Sequence, residues 1–508
     1  MELELEQIPL DGYETVLDTT VFCEETLEAI VPDACPDILR IWDSEGQACL
    51  SSREALDGRI NLSGTVRVAL LYLPDGEDGL RRMEVKIPFS CTADHPNLTP
   101  ACRMVVLPRV QGAQVRVLNP RKVLIRVNLA VGVRAFAPYS EHLCAGVAAD
   151  SSEGIEQLSE SCTSYFTVCV QEKPFTYSDE VSLPGGKPDA AELLKYRVLL
   201  RCGEGKVIGS KLIFKGDACV QMFYRSMEGE LCTGEVELPF SQIMEISGAG
   251  EEAGCEVDVI LTDCDCMLDQ GDGRTFSLTM ELLAQAVVRE ARPLRMLTDV
   301  YSTSYALTTD TKTYTFDRLI DQGEREITAR ELLETGVMAR EVSDAYASIG
   351  ALSQSREGGR LTLNAQVEVT VLYLTEDGSR STVTRSIQAS CPLELPSDAV
   401  CTFLCTCTTP VFATATASGM EVRLPVRFRY IALSKRDTAA VSAIAMDENA
   451  PLDHSGQPSI VLRMVGAGER LWDIAKSYGT TARDITQANG LEEGTLPEGK
   501  LLLIPRKR

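Results

Sequence analysis

Histidine is nearly missing from this sequence: 508 residues carry three, His95, His142 and His454. They stand 47 and 312 residues apart (142 − 95 and 454 − 142), so no His-Glu-x-x-His zinc helix exists and no ligand-spaced pair is left. Ordinary surface or turn positions are expected for all three. Positive charge is also scarce, with 49 Lys and Arg against 74 Asp and Glu, a net charge of −25. A chain so acidic cannot work by neutralising phosphates, which excludes nucleic acid and argues against anionic lipid. No apolar run approaches the roughly 20 residues that span a bilayer, so direct membrane insertion is not expected. The amino terminus, Met1-Glu2-Leu3-Glu4-Leu5-Glu6, lacks the basic and apolar blocks of a signal peptide. A cytoplasmic location is therefore expected, with the eighteen cysteines as reduced thiols. Cys264 and Cys266, like Cys405 and Cys407, sit two apart on strand alternation, where a thiol packs as a small hydrophobe.

The usual catalytic constellations are missing too. Gly203-Glu204-Gly205-Lys206 has a phosphate-loop flavour but lacks the upstream glycine and the following Ser or Thr, and reads as a turn. Cys401, Cys405 and Cys407 are not in Cys-x-x-Cys spacing. With no Cys-His, Ser-His or zinc arrangement, no catalytic residue, metal or cofactor is expected, and the chain is read as a non-enzyme.

What the chain does contain is a strand signature written three times: Ile60 to Tyr72, Leu212 to Tyr224 and Leu361 to Tyr373. Gly64 and Gly216 stand eight residues before their tyrosines, and Ala365 takes that place in the third copy. An acidic residue and a glycine follow each tyrosine, as Asp75-Gly76, Glu228-Gly229 and Asp377-Gly378. Alternating apolar residues that run into such a dipeptide read as a half-buried strand entering a hairpin. The tyrosines are 152 and 149 residues apart (224 − 72 and 373 − 224), a domain-sized period.

Around each signature the pattern extends. Pro36-Asp37 precedes Ile38 to Ile41, and Pro188-Asp189 precedes Ala190 to Leu194; both read as the start of a short helix, with Ala329 to Leu333 as the third copy. That alignment implies a loop insertion near Ser353 to Gly359. Ile87-Pro88-Phe89-Ser90, Leu238-Pro239-Phe240-Ser241 and Ser386 to Ser390 read as edge strands or strand ends, since proline cannot donate to a ladder. Long alternating strands close the repeats over Val123 to Phe136, Thr275 to Val288 and Met420 to Ile431. The expected fold is mainly β: three tandem β-rich repeats, each with a short helix, over 13–155, 156–300 and 301–434. A flexible linker over 435–458 and a small α/β domain of βααβ order over 459–508 complete it.

The last fifty residues carry eight basic and six acidic side chains, so this +2 module hangs from a body of −27 (−25 − 2). Leu471, Ile474, Ala475 and Tyr478 form a helical stripe ending at Gly479, and Thr481 with Asp484 forms a capping box for a second helix. The segment Val465 to Ala475, together with Tyr478-Gly479-Thr480-Thr481, Asn489-Gly490-Leu491 and Leu496-Pro497-Glu498-Gly499-Lys500-Leu501, resembles a LysM domain. That resemblance implies a shallow groove for N-acetylglucosamine glycans between the loop before the first helix and the loop after the second. The candidate partner- or glycan-binding residues it implies are Gly468, Glu469, Arg470, Leu471, Trp472, Asn489, Gly490 and Leu491. Where the family has Gly-Asp-Thr or Gly-Asp-Ser, this chain has Gly468-Glu469-Arg470, two long charged side chains in place of a capping one.

The three repeats are similar to SPOCS domains of spore-associated proteins. Tandem SPOCS repeats before one LysM domain resemble the SipL family of clostridial spore coat proteins. The resemblance implies a morphogenetic scaffold at the forespore surface in the mother-cell cytoplasm. Its implied partners are a SpoIVA-like coat ATPase, met through the LysM module, and other coat proteins, with self-association open. The alternative is a peptidoglycan- or glycan-binding protein of the cell wall or cortex.

Overall fold

Three long antiparallel ladders, each made by two strands far apart in sequence, form the frame of this computed structural model. It describes residues 4–148, 154–269, 271–407, 409–416, 419–453, 455–491, 496 and 499–506. In the first unit, β1 (Leu5–Ile30) pairs along its length with β6 (Lys122–Val147). Between them the chain builds β2 (Ile38–Leu56), β3 (Arg59–Pro74), β4 (Arg81–Asp94) and β5 (Arg103–Asn119). The second unit repeats the plan. β7 (Ile155–Ser182) pairs with β12 (Thr275–Ser302), enclosing β8 (Ala190–Ile208), β9 (Lys211–Ser226), β10 (Leu231–Glu245) and β11 (Gly254–Leu268). In the third, β13 (Tyr305–Leu333) pairs with β19 (Gly419–Pro451) around β14 (Ala339–Glu357), β15 (Arg360–Thr375), β16 (Arg380–Glu394), β17 (Val400–Thr406) and β18 (Phe412–Thr416). The first two ladders join in one sheet, ordered β11-β12-β7-β1-β6-β5.

Each strand signature lies in the central strand of a three-stranded sheet: β2-β3-β4, β10-β9-β8 and β14-β15-β16. Those central strands are 16 residues long in all three units, and the strands before them are 19. Gly76, Gly229 and Gly378 take positive φ in the hairpins that follow, as the turn requires. Gly64 and Gly216 have a different reason. Each faces a phenylalanine across the ladder, Phe89 and Phe240, and a Cβ there would come within 2.6 and 2.4 Å of the ring. In the third unit the facing pair is Ala365 with Ala389, so the loss of the glycine is matched by loss of the ring. Pro88 and Pro239 sit inside β4 and β10, both edge strands, where no donor is needed.

The short helices expected in the repeats are strands. Ile38 to Ile41 opens β2, Ala190 to Leu194 opens β8, and Ala329 to Leu333 ends β13. Paired bulges explain the misreading: register shifts at Ile38/Arg40 and Ile41/Asp43 recur at Ala190/Glu192 and Leu193/Lys195. An extra residue at each bulge breaks period-two alternation and mimics a helical stripe. The Pro-Asp pair is a clamp on strand entry. Tyr72 Oη donates to Pro36 O at 3.1 Å and Tyr224 Oη to Pro188 O at 3.0 Å, while Arg121 and Arg274 bond Asp37 and Asp189.

The same bulges, at Ala339/Glu341 and Val342/Asp344, identify the third copy of the opening as Ala339 onward. Residues 353–357 are then ordinary β14, paired with β15, and no insertion is present. Two further expectations change. Residues 435–451 continue β19 against β13, because their apolar residues Ala440, Val441, Ile444 and Met446 are buried in the ladder. Gly203 to Lys206 is strand with a bulge rather than a turn. The long closing strands stand as expected, with Val422, Leu424, Val426 and Phe428 fully buried.

The three small sheets touch cyclically: β4 packs on β8, β10 on β14 and β16 on β2. Equivalent side chains from each, Leu71, Phe223 and Leu372, meet with Trp42 and Leu194 in an apolar plug. After the ladders come β20 (Ile460–Met464), α1 (Leu471–Tyr478), α2 (Ala482–Asn489) and β21 (Leu501–Pro505), with β20 and β21 paired.

Candidate functional site

The terminal module is built by its caps and its two-stranded sheet. Gly479 and Gly490 end the helices in the left-handed region, and the Thr481 hydroxyl accepts the Asp484 N–H at 2.9 Å to start α2. Arg470 at the start of α1 caps nothing; its guanidinium holds Asp473 at 2.8 and 2.9 Å on the outside of the helix. Glu469 folds back to accept the Gly466 N–H at 2.8 Å and to pair with Arg463. Asn489 locks α2 to the sheet, donating to Ile485 O and accepting the Leu503 N–H, each at 2.8 Å. Gly468 and Gly490 shape the two loops through positive φ, and Leu491 packs on the module core.

Of the eight candidate residues, Trp472 departs furthest from the expected groove. It is 9% exposed and lies on the second unit of the body. The indole Nε1 donates to Asp299 Oδ2 at 2.7 Å, and Lys476, one helical turn on, donates to Asp299 Oδ1 at 2.7 Å. Tyr301 stands edge-on to the indole with ring centroids 4.9 Å apart, and its hydroxyl donates to Thr480 O at 2.8 Å. Asp299 and Tyr301 point the same way because they are two apart on β12. Burial works against the Asp299 charge, yet Lys476 and the indole N–H together hold its carboxyl below the usual range.

The outer face of the module sheet is bare. Ile460, Leu462, Met464 and Leu501 are each between 56% and 63% exposed, while Leu502 and Ile504 on the inner face are buried.

A second polar cluster lies at the centre of the ring, and the sequence reading missed it. The fifth residue on from each first-strand start is Asp43, Lys195 and Asp344; two further on stand Glu45, Arg197 and Tyr346. Lys195 Nζ meets Asp43 at 2.6 Å, Glu45 at 2.9 Å and Asp344 at 2.9 Å. Arg197 holds Glu45 at 2.7 and 2.9 Å and also grips Asp344. Tyr346 donates to Asp43 at 2.8 Å. Burial opposes every charge here, and the two cations reverse it for the acids, holding Asp344 and Glu45 below the ordinary carboxylate range. Burial likewise opposes Lys195, and the three carboxylates more than restore its proton. Alignment of the first strands would have revealed this: equivalent positions carry acid, base, acid.

Among the described residues no group of three or more His, Cys, Asp or Glu could hold a metal. The His95 Nδ1 accepts the Asn97 N–H at 3.3 Å in a turn, and His142 lies in β6. His454, Pro497 and Glu498 lie outside the described residues. No disulfide joins any cysteine, and Cys264, Cys266, Cys401 and Cys405 are buried in strands. Burial pushes the Cys405 thiol up to about 12. No described helix is long and apolar enough to cross a membrane.

Residues 37–118 and 189–269 match the family described as SipL, SPOCS domain, and residues 464–505 match the LysM domain family. Neither a curated protein nor a solved structure matches the chain. The chain thus carries two SPOCS segments of the SipL type, spanning β2 to β5 and β8 to β11, and a terminal LysM domain, the combination of a sporulation-related protein.

Proposed function

We propose that the chain is a non-enzymatic scaffold of the spore coat, working in the mother-cell cytoplasm at the forespore surface. Its LysM module binds a coat-assembly ATPase of the SpoIVA kind. The third unit, outside the matched segments, is read as a diverged SPOCS copy. Its strands of 19 and 16 residues and its paired bulges repeat those of the first two. The three units together would offer coat proteins, or further copies of the chain, an extended β surface.

The observation that carries this reading is how the module spends its polar groups. Glu469, Arg470, Trp472 and Asn489 all have protein partners, three of them within the module and Trp472 on the body, so the groove retains little to hydrogen-bond a sugar. What the module turns outward is the apolar face of β20 and β21, of a kind that marks a protein contact.

The test is a pull-down of the coat ATPase with the full chain and with the double variant Leu462→Glu, Met464→Glu. Both side chains are exposed, so the fold should stand. Retention is expected to fall at least about tenfold, the effect of about 1.4 kcal/mol. Undiminished binding, or equal binding after deletion of 459–508, would remove the recruitment role. Titration with chitooligosaccharide decides the alternative: saturable binding would favour a glycan-binding wall or cortex protein.

A further inference from the structure

The ring of three units is closed unevenly, and the unevenness leaves a cavity. In the first two units a single edge strand, β5 of 17 residues and β11 of 15, lies along the ladder and packs against the first strand of another unit, β14 and β2. In the third unit that edge strand is broken. β17 stops at Thr406 and β18 starts at Phe412, and residues 407 and 409–411 between them carry no strand. Pro410, which has no N–H to give the ladder, sits in the break. Opposite the break, between β5, β8 and β14, lies a cavity of about 660 Å³. That volume suits a small molecule.

Its lining is mixed: Val110, Leu200, Ile349 and Val411 give aliphatic wall, while Asp43, Glu45 and Arg197 of the central cluster face it with their charges already paired. Two polar groups on it are unanswered. Arg109 on β5 has Nε and Nη1 buried with no acceptor, and Thr409 in the break has its hydroxyl buried without a partner. Lys195 and Arg197 at the ring centre, by contrast, are both bonded to carboxylates. Glu368 also lines the cavity, and its carboxylate lies toward Gly112, farther along β5, rather than on the guanidinium. An unpaired buried guanidinium is costly, and its planar donor set suits a carboxylate or phosphate.

We propose that this cavity is a binding site for a small amphipathic anion, with a carboxylate or phosphate head on Arg109 and Thr409 and an apolar part against the aliphatic walls. The site exists only because the third unit interrupts its edge strand. It is independent of what the LysM module binds.

The test is thermal unfolding of the dialysed full chain with octanoate or inorganic phosphate, each at about 10 mM, a concentration that reports millimolar affinity. At least one probe is expected to raise the midpoint by about 2 °C or more, and which one identifies the head group. Arg109→Gln should weaken the response at least tenfold. Without probe its midpoint should equal or exceed that of the wild type, because an unpaired buried charge has been removed. If neither probe moves the wild type, or Arg109→Gln responds as the wild type does, the proposal falls. Should Arg109→Gln fail to fold, Thr409→Val carries the test with an expected loss of about threefold, one hydrogen bond's worth; an unchanged response in it then overturns the site.

Discussion

Two joints hold this chain together, one at the centre of the ring and one between the body and the LysM module, and they treat charge differently. Both have a tryptophan, Trp42 in the first and Trp472 in the second, and the protein has no others. At the centre, the side chains of Lys195 and Arg197 are 2% and 9% exposed, and those of their acids 2% to 16%. At the module, Lys476 is 44% exposed and Asp299 27%. Little of the first joint meets solvent, and only from the side of the cavity that Asp43, Glu45 and Arg197 help line. In the second, solvent already reaches half of the ion pair. The centre is therefore a fixed, unit-specific lock: units one and three bring Asp43 and Asp344 where unit two brings Lys195, and Glu45 and Tyr346 stand where unit two brings Arg197. The module is held by a contact that can let go.

The largest effect should come from breaking the lock. Lys195→Met leaves Glu45 and Asp344 to Arg197 and Asp43 with only the Tyr346 hydroxyl, and an uncompensated buried charge costs about 3–5 kcal/mol. Denaturant unfolding followed through Trp42 emission, in a Trp472→Phe background, is expected to show this as a lower midpoint. A shift under about 1 kcal/mol would mean that the ring is closed by its apolar plug alone. Acid should act next. Asp344 and Glu45 titrate below their unfolded values of about 3.9 and 4.3, so their contribution is complete above roughly pH 5 and is lost as pH falls below about 4. Lys195 has the opposite sign, its proton being held above the usual lysine value, so its contribution persists through neutral pH and is lost only in strong alkali. Stability measured from pH 7 down to pH 3 should fall steeply at the acid end, and a flat profile would remove the carboxylates from the account.

How much of this could be read from the sequence follows from what repeats. The three signatures, their hairpin glycines and the long closing strands were legible because period-two alternation survives in them, as from Ile60 to Tyr72. The strand openings were misread because bulges at Ile41/Asp43 and Leu193/Lys195 insert residues that alternation cannot absorb. The error spread: aligning the third opening ten residues early created an insertion that β14 does not contain. Residues 435–451 read as linker because their Asp, Asn and Pro hid a ladder whose other half, β13, lies more than a hundred residues upstream. The module's two helices and caps were legible, being local. The use of Trp472 was not, because Asp299 and Tyr301 are 173 and 171 residues away (472 − 299 and 472 − 301) and only folding brings them near.

The module joint is the place for the smaller effects. Asp299→Ala removes the acceptor of both Trp472 and Lys476, hydrogen bonds to a charged group worth about 1.5–3 kcal/mol each before solvent repays the exposed one. Release of the module should redden Trp472 emission in a Trp42→Phe chain and open a protease-sensitive site between Pro451 and Ile460, with the ring intact. Salt sharpens the same contrast: at about 0.5 M the exposed Lys476–Asp299 pair is screened and the buried lock is not, so only the Trp472 signal should move. At the bottom of the scale stands Arg470. Its pair with Asp473 sits on the outside of α1, with side chains 64% and 51% exposed, and it feels Asp299 of the second joint only through space. Arg470→Ala should leave the unfolding midpoint and both emission signals as they are in the wild type. A shift in any of them would mean that the module's charged loop bears on the body after all, and that the second joint is closer in kind to the first.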